Sequence, residues 1–430
     1  MLGSYLKVAW KVLLRRKFFT FISLFGISVT LLVLLVATAL LDHIFAPEAP
    51  EVHGDRTLGV YLMTLTGPGS HRGGLPGYGF LDRYVRPMEA MPEVETVAVA
   101  GWPKIAVSYV GGRKVRSFLR RTDGAYWRIL DFDFVEGRPL TAEDDREARF
   151  VAVINETTRR RFFAGQPAAG RTLEIDGQRF RVVGVVRDVS LLRIVPFADV
   201  WVPIGTARSD AYKRDFSGDF MGLLMARDRA GFPAIRSELD RRCLEAQRHI
   251  PDPQFDALYT GADTPFEAAS RFFLGESFIG TRPPDVGWTL GYSRHAVWLR
   301  AVLFLAMVLF MLLPAINLVN INLSRILERS SEIGVRKAFG ASSRTLVGQF
   351  VVENLVLTLL GGLAGLALAA AVLAGLNASG LIPYAHLSLN LRVFFYGLGI
   401  AAFFGLLSGV YPAWKMSRLH PAEALRGRSL

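Results

Sequence analysis

Long apolar runs alternate with charged stretches along the chain, and that alternation predicts four membrane-spanning helices. Residues 18–41 hold 24 positions without one charge, and further apolar runs cover 296–323, 346–376 and 393–413. Each exceeds the roughly 20 residues a helix needs to cross a hydrocarbon core about 30 Å thick. Backbone groups inside lipid have to be satisfied locally, so all four read as helices. A cleaved signal peptide is the competing reading of the first run, but its apolar core is longer than the roughly 7–15 residues of such signals. An uncleaved anchor is expected. Ahead of it, Tyr5, Val8, Ala9, Val12 and Leu13 alternate with Lys7, Lys11 and Arg15 at helical spacing, so residues 1–17 read as an amphipathic helix along the inner membrane face.

Between the second and third spans lies a polar stretch, residues 324–345. Arg325, Arg329, Glu332 and Arg336 step by four, three and four, which puts them on one helical face. Ile326 and Ile333, with Val335 and Phe339, make an apolar face. Gly340 suits a left-handed helix stop, and Ser342 suits the N-cap of the next helix. Helix, tight corner and second helix are therefore expected, with Lys337 and Ala341 at the corner. A short polar helix pinned between two spans is placed to receive a push from a partner. An ordinary connector whose charges face water would carry the same pattern.

Small and polar residues interrupt the spans. Gly361, Gly362 and Gly365 form a surface where another helix can approach closely. Gln349, Glu353 and Asn354 fall near the start of the third span, where ionisable groups either serve function or snorkel to the interface. Asn317 and Asn320, three apart, suit interhelical hydrogen bonds, and Pro314 suits a kink. Lys and Arg crowd the flanks before the first span, between the second and third, and after the fourth. That bias places both termini in the cytoplasm and residues 42–295 outside, with 377–392 as a short outer loop and 414–430 as a cytoplasmic tail.

The outer segment reads as α+β. A strand over 58–65, a Gly/Pro-rich loop over 67–79, a helix over 80–91 and a strand over 94–100 open it. A strand over 220–229 and an amphipathic helix over 232–249 close it, completing a split β-α-β layer of ferredoxin-like type. The layer takes in residues 42–103 and 215–295, and a β-rich insert fills 104–214. Within the insert, Asp176-Gly177 is a two-residue turn between the strands of a 171–186 hairpin. FVAVI at 150–154 gives way at Asn155, an N-cap, to a helix through Phe163, and VWVPI at 200–204 is another strand.

Composition agrees with spans plus an aqueous domain: 51% hydrophobic and 20% charged residues over 430 positions. The net charge of +12 fits cytoplasmic basic flanks and anionic membrane lipid better than nucleic acid. Cys243, the single cysteine, excludes an internal disulfide and reads as a small apolar helix residue. Catalytic chemistry is missing from the pattern. No phosphate-binding loop, no H-E-x-x-H and no paired Cys/His spacing occurs, so neither a metal nor a cofactor is expected in this chain. Asp131, Asp133, Asp144 and Asp145 lack calcium-loop spacing and read as a solvated loop. His295 and His420 read as interfacial residues. Asn155-Glu156-Thr157 fits a glycosylation sequon, a pattern that recurs by chance.

Residues 332–369, EIGVRKAFGASSRTLVGQFVVENLVLTLLGGLAGLALA, with 411–426, YPAWKMSRLHPAEALR, resemble the permease domain shared by FtsX-like and MacB-type proteins. LDFDFVEGRPL (130–140), VAVINETTRRRFF (151–163) and GRTLEIDGQRFRVVGVVRDV (170–189) resemble the MacB-type periplasmic core domain. The resemblance covers most of the chain, with the parts in the same order. It implies a type VII ABC transporter permease of the inner membrane, with an FtsX-like domain over 296–430 and an outer domain of Porter and Sabre parts. Such a protein turns ATP hydrolysis into periplasmic movement for efflux. By the resemblance, Arg329, Glu332, Arg336, Lys337, Gly340, Ala341 and Ser342 would contact the ATPase. MacB-type proteins carry an N-terminal ATPase, whereas seventeen residues precede the first span here, so ATP and magnesium are expected on a separate subunit. A second permease copy or a sibling, a periplasmic adaptor and an outer-membrane channel are the other implied partners. Cargo would be hydrophobic: antibiotics such as macrolides, peptides or lipoproteins. An FtsX-like signalling permease that activates cell-wall hydrolases is the alternative, and an outer segment of 254 residues is large for it.

Overall fold

The computed structural model describes residues 2–15, 17–274, 297–310, 312, 335, 339 and 342–417. They form two compact units: a helical one of Met1–His43, Ala301–Leu381 and His386–Leu430, and a sheet-bearing one of Ile44–Arg300 with Ile382–Ala385.

In the helical unit, α1 (Leu2–Arg15) buries Ala9 and Leu13, one turn apart, and leaves Lys7, Trp10 and Lys11 exposed. This is the amphipathic pattern read from its spacing. The next helix, α2 (Lys17–Phe45), is mostly apolar; Thr20 donates to Leu13 O of α1 at 3.0 Å, and other hydroxyls bond back to its own turns. Ser23 donates to Phe19 O at 2.9 Å, Thr30 to Gly26 O at 2.8 Å and Thr38 to Leu34 O at 2.8 Å. These three bonds stay within the helix. Among the described residues two helices are long and apolar enough to cross a membrane, Lys17–Phe45 and Val347–Ser379, the latter within the Ser343–Ser379 helix. Shorter apolar stretches are Val297–Phe310 and Leu391–Phe403, the latter opening the Leu391–Ser417 helix. The rest of the expected second span lies outside the described residues.

The sheet-bearing unit carries β1 (Thr57–Val60), β2 (Met63–Gly67), β3 (Ser70–Pro76), β4 (Val94–Gly101), β5 (Lys104–Val110), β6 (Arg113–Thr122) and β7 (Phe134–Gly137). It continues with β8 (Val151–Asn155), β9 (Thr172–Ile175), β10 (Gln178–Val186), β11 (Val200–Pro203), β12 (Ser217–Gly218), β13 (Phe220–Ala226) and β14 (Ala257–Thr260). A large mixed sheet runs β1-β13-β4-β6-β11-β8-β10-β7, with β5 on β6 and β9 on β10, and a second sheet runs β12-β3-β2-β14. Leu58, Val60 and Leu224 pack with Phe80, Leu81, Val85 and, from the Phe232–Gln247 helix, Ile235, Leu239 and Cys243. Cys243 is therefore a buried apolar contact, and burial raises its thiol pKa. The residues between β4 and β13 build two further cores, one around Trp127 and Trp201, the other around Phe180 and Ile154.

Local signals translate directly. Asp176 and Gly177 both take left-handed φ, +51° and +66°, and close the β9–β10 hairpin. Asn155 caps the Glu156–Phe163 helix by accepting from Thr158 N–H at 2.8 Å.

Elsewhere the structure corrects the reading. The single strand expected over 58–65 breaks at Tyr61-Leu62 into β1 and β2, which belong to different sheets. The expected loop over 67–79 contains strand β3: Gly69, at φ +74°, turns the chain back so that β3 pairs with β2 on one side and β12 on the other. Its glycine content hid a strand that backbone pairing, not side-chain preference, maintains. The helix expected over 80–91 tightens in stages, with π geometry at Leu81–Val85 and 3-10 geometry at Arg86–Ala90. Asp144 is no solvated loop residue. It is fully buried and closes a capping box with Thr141. Arg138 bonds it at 2.7 Å, and despite burial these hydrogen bonds hold its carboxyl down at about 2. The sequon residue Asn155 is likewise buried, its amide donating to Asp199 Oδ1 at 3.1 Å, so it offers no free amide to a sugar.

Candidate functional site

Of the polar corner, Ser342 is described. Its hydroxyl accepts from Thr345 N–H at 3.2 Å and starts the Ser343–Ser379 helix. Val335 and Phe339 are exposed, the latter by 86%, so the corner presents apolar surface. Arg329, Glu332, Arg336, Lys337, Gly340 and Ala341 lie outside the described residues, as do Asn317 and Asn320.

About two to four turns further on, the Ser343–Ser379 helix carries buried polar groups. Gln349 donates to Glu353 Oε1 at 2.9 Å, one turn on, and Thr358 donates to Asn354 O at 3.0 Å. Glu353 is 3% exposed, so its carboxylate sits inside the packed helices and does not snorkel outward. Beyond it comes the glycine seam. A Cβ on Gly361 would stand 2.9 Å from the Ile27 side chain, and one on Gly365 would stand 2.9 Å from Ser28 O and 3.0 Å from Leu31 Cβ. On Gly362 it would stand 2.5 Å from Leu398. The three glycines thus pack this helix directly on α2 and on the Leu391–Ser417 helix, a closeness side chains would prevent.

The sheet-bearing unit contains a junction that local sequence patterns did not disclose. Residues 190–199 form an irregular loop leading into β11, and two buried arginines pin it. Arg120, on β6, donates to the carbonyls of Ile194 at 2.6 Å and Val195 at 2.5 Å. Arg193, 4% exposed, donates to Glu48 O at 3.0 Å and Ala46 O at 3.2 Å and pairs with Glu51 at 3.4 Å. Burial pushes the Glu51 carboxyl up to about 7 even against the opposing pull of Arg193. At the loop's other end the buried Asp199 carboxylate accepts from Phe118 N–H at 2.8 Å, from the Asn155 amide at 3.1 Å and from the Tyr384 hydroxyl at 2.7 Å.

A cleft of about 710 Å³ opens elsewhere in this unit, lined by Tyr78, Arg86, Trp127, Leu140 and Asp145 with Asp123. Asp123 accepts from Val99 N–H at 2.9 Å and Tyr126 N–H at 3.0 Å and pairs with Arg86 at 3.2 Å. Burial nonetheless lifts it to about 6. Its oxygens are committed to holding two backbone segments, a structural assignment. Among the described residues no cluster of three His, Cys, Asp or Glu could hold a metal.

Known proteins resemble the chain in two consecutive blocks. Residues 20–242 match the MacB-like periplasmic core domain family, and residues 304–421 match the FtsX-like permease C-terminal family. The macrolide export ATP-binding/permease protein MacB of Bdellovibrio bacteriovorus is 27% identical over 303 residues, covering 70% of this chain and 42% of that protein. The ABC transporter permease YknZ of Bacillus subtilis is 25% identical over 341 residues, 76% of each chain. The crystal structure of the periplasmic region of MacB from Actinobacillus actinomycetemcomitans aligns at 16% identity and a TM-score of 0.37, covering 53% of this chain and 95% of that one. The chain spans about two fifths of the length of several MacB relatives it matches. With the core-domain match alone covering more than half of its residues and the permease match following in order, the chain belongs to the MacB/FtsX-like type VII family of ABC transporter permeases.

Proposed function

We propose that the chain is the membrane subunit through which ATP hydrolysis, performed by a nucleotide-binding domain outside these residues, moves the sheet-bearing unit on the far side of the inner membrane. The tandem order of a core-domain match and a permease match carries this reading. Four spans, cytoplasmic termini, and a Porter layer with a Sabre insert complete it. The ATPase would engage the polar corner at Arg329, Glu332, Arg336, Lys337, Gly340, Ala341 and Ser342. The buried Gln349–Glu353 pair and the glycine seam, immediately along the same helix, support the passage of movement from that corner into the bundle. A dimer with itself or a sibling and export of a hydrophobic cargo (antibiotic, peptide or lipoprotein) belong to the same reading, and the names of relatives, macrolide export and pyoverdine export, support export.

The experiment is affinity capture of the full chain from membranes. An ATP-binding cassette protein or domain is expected to accompany it, and Glu332→Lys is expected to release that partner without lowering the membrane level of the chain. Capture with no nucleotide-binding partner under either condition, or labelling of a cysteine at position 340 from outside intact cells, would overturn the reading.

A further inference from the structure

The helical unit sends two connections into the sheet-bearing unit besides the one through Arg300, and both arrive at one loop. The chain leaves α2 and runs through Ala46–Glu51, which Arg193 holds by two carbonyls and a carboxylate. Far along the sequence, the segment after the Ser343–Ser379 helix spends four residues, Ile382–Ala385, in the sheet-bearing unit before returning. Those four residues meet the same loop at Leu191, Phe197 and Asp199. Leu191 N–H donates to Pro383 O at 3.1 Å, the Phe197 and Tyr384 rings stand 6.4 Å apart, and the Tyr384 hydroxyl bonds Asp199.

We infer that residues 190–199 are a two-ended joint whose positioning residues, Arg193 at one end and Asp199 with Tyr384 at the other, make both segments move as one body with the sheet-bearing unit. Three observations carry this. The loop is itself immobilised: Arg120 holds two of its carbonyls, the Tyr126 hydroxyl donates to Val195 O at 3.0 Å, and Arg193 N–H closes a turn onto Ser190 O. The Arg120, Arg193 and Asp199 side chains are buried, with their contacts buried or partly so, and networks of that kind favour one geometry. Tyr384 sits at φ +60°, a left-handed conformation that a side chain adopts when its surroundings impose it. A tip that merely floated would relax. The role assigned here, transmission of movement, rests on the permease reading, whereas the joint itself does not.

The test is a double-mutant cycle on the full chain in lipid nanodiscs, read by amide hydrogen exchange without nucleotide. Tyr384→Phe removes one hydroxyl and Arg193→Lys keeps the charge while losing the two-carbonyl grip, so both variants should fold. Each is expected to raise exchange about tenfold at its own end, at Asp199 N–H, which donates to Phe118 O, or at Glu51 N–H, the effect of losing one net hydrogen bond. Each is also expected to raise it severalfold at the opposite end, with the double variant falling short of the product of the singles. A cysteine pair, Leu191→Cys with Pro383→Cys, should form a disulfide and restore protection at both ends in the Tyr384→Phe background. Effects confined to the mutated end, or strictly multiplicative, overturn the joint. Adding Mg-ATP to the complex with its nucleotide-binding partner asks a separate question: no change of exchange in the unmutated protein would count against the permease reading and leave the outcome of the cycle intact.

Discussion

The glycine seam of the helical unit and the Asp199 junction of the sheet-bearing unit solve the same problem, fixing distant segments against each other, by opposite means. Helices satisfy their own backbone groups, so in the seam what matters is the absence of side chains: Gly365 brings two backbones together and dispersion does the rest. At the junction the segments are irregular, and their N–H and C=O groups need partners. Buried charge supplies these, one carboxylate serving a strand, a helix cap and a loop tip. Steric sites should therefore fail on enlargement, and electrostatic sites on truncation or on a change of pH.

The largest effect is expected from Asp199→Ala, which strands the Phe118 N–H, the Asn155 amide and the Tyr384 hydroxyl together. A loss of about 4 kcal/mol follows from three donors, one buried and two partly buried, left without their acceptor, measurable by denaturant unfolding. Next comes pH. Glu51 is raised from its ordinary value to about 7, so the folded state holds a proton that the unfolded chain has already released. Stability should be full below the ordinary carboxylate range and fall as pH climbs towards 7, by up to about 3 kcal/mol, with no further loss above. Asp123, lifted to about 6, adds to the same slope, so Glu51→Gln should flatten it only in part.

A smaller loss tests the seam. Gly365→Leu should destabilise the helical unit by about 2 kcal/mol through overpacking against Ser28 and Leu31, while Gly375→Leu, with open space around it, should be nearly silent in thermal unfolding in detergent. Ser342→Ala, which removes one cap from an otherwise self-sufficient helix, should cost about 1 kcal/mol, seen as faster exchange of the Thr345 amide.

The two regions also differed in how far they could be read beforehand. Apolar runs, the α1 stripe and the glycines of the seam are local or periodic, so spacing alone exposed them. So were the Asp176-Gly177 turn and the Asn155 cap. The junction was invisible for the complementary reason: Arg193, Asp199 and Tyr384 carry no spacing that announces a common partner. Strand β3 was missed because glycine-rich composition argues for a loop, and the deciding partners, β2 and β12, are one adjacent and one remote. Asp144 misled because an acidic run normally faces water, and only Arg138 with Thr141 made its burial tolerable. Most of the proposed ATPase contacts fall on residues the structure does not describe, so there the reading stands on resemblance.

Strand order leaves a last consequence, for how the molecule comes into being. Thr57 pairs with Met225, 168 positions on, and Met63 with Thr260, 197 positions on, so β1 and one side of β2 find their neighbours late in the sequence. A nascent chain emerging from its first end must keep Leu58 and Val60 unpaired until β13 appears, whereas Leu65 already has Arg72 of β3 opposite it. Closure of this lobe therefore waits on the emergence of residues 220–260, and its long-range pairing makes that step slow.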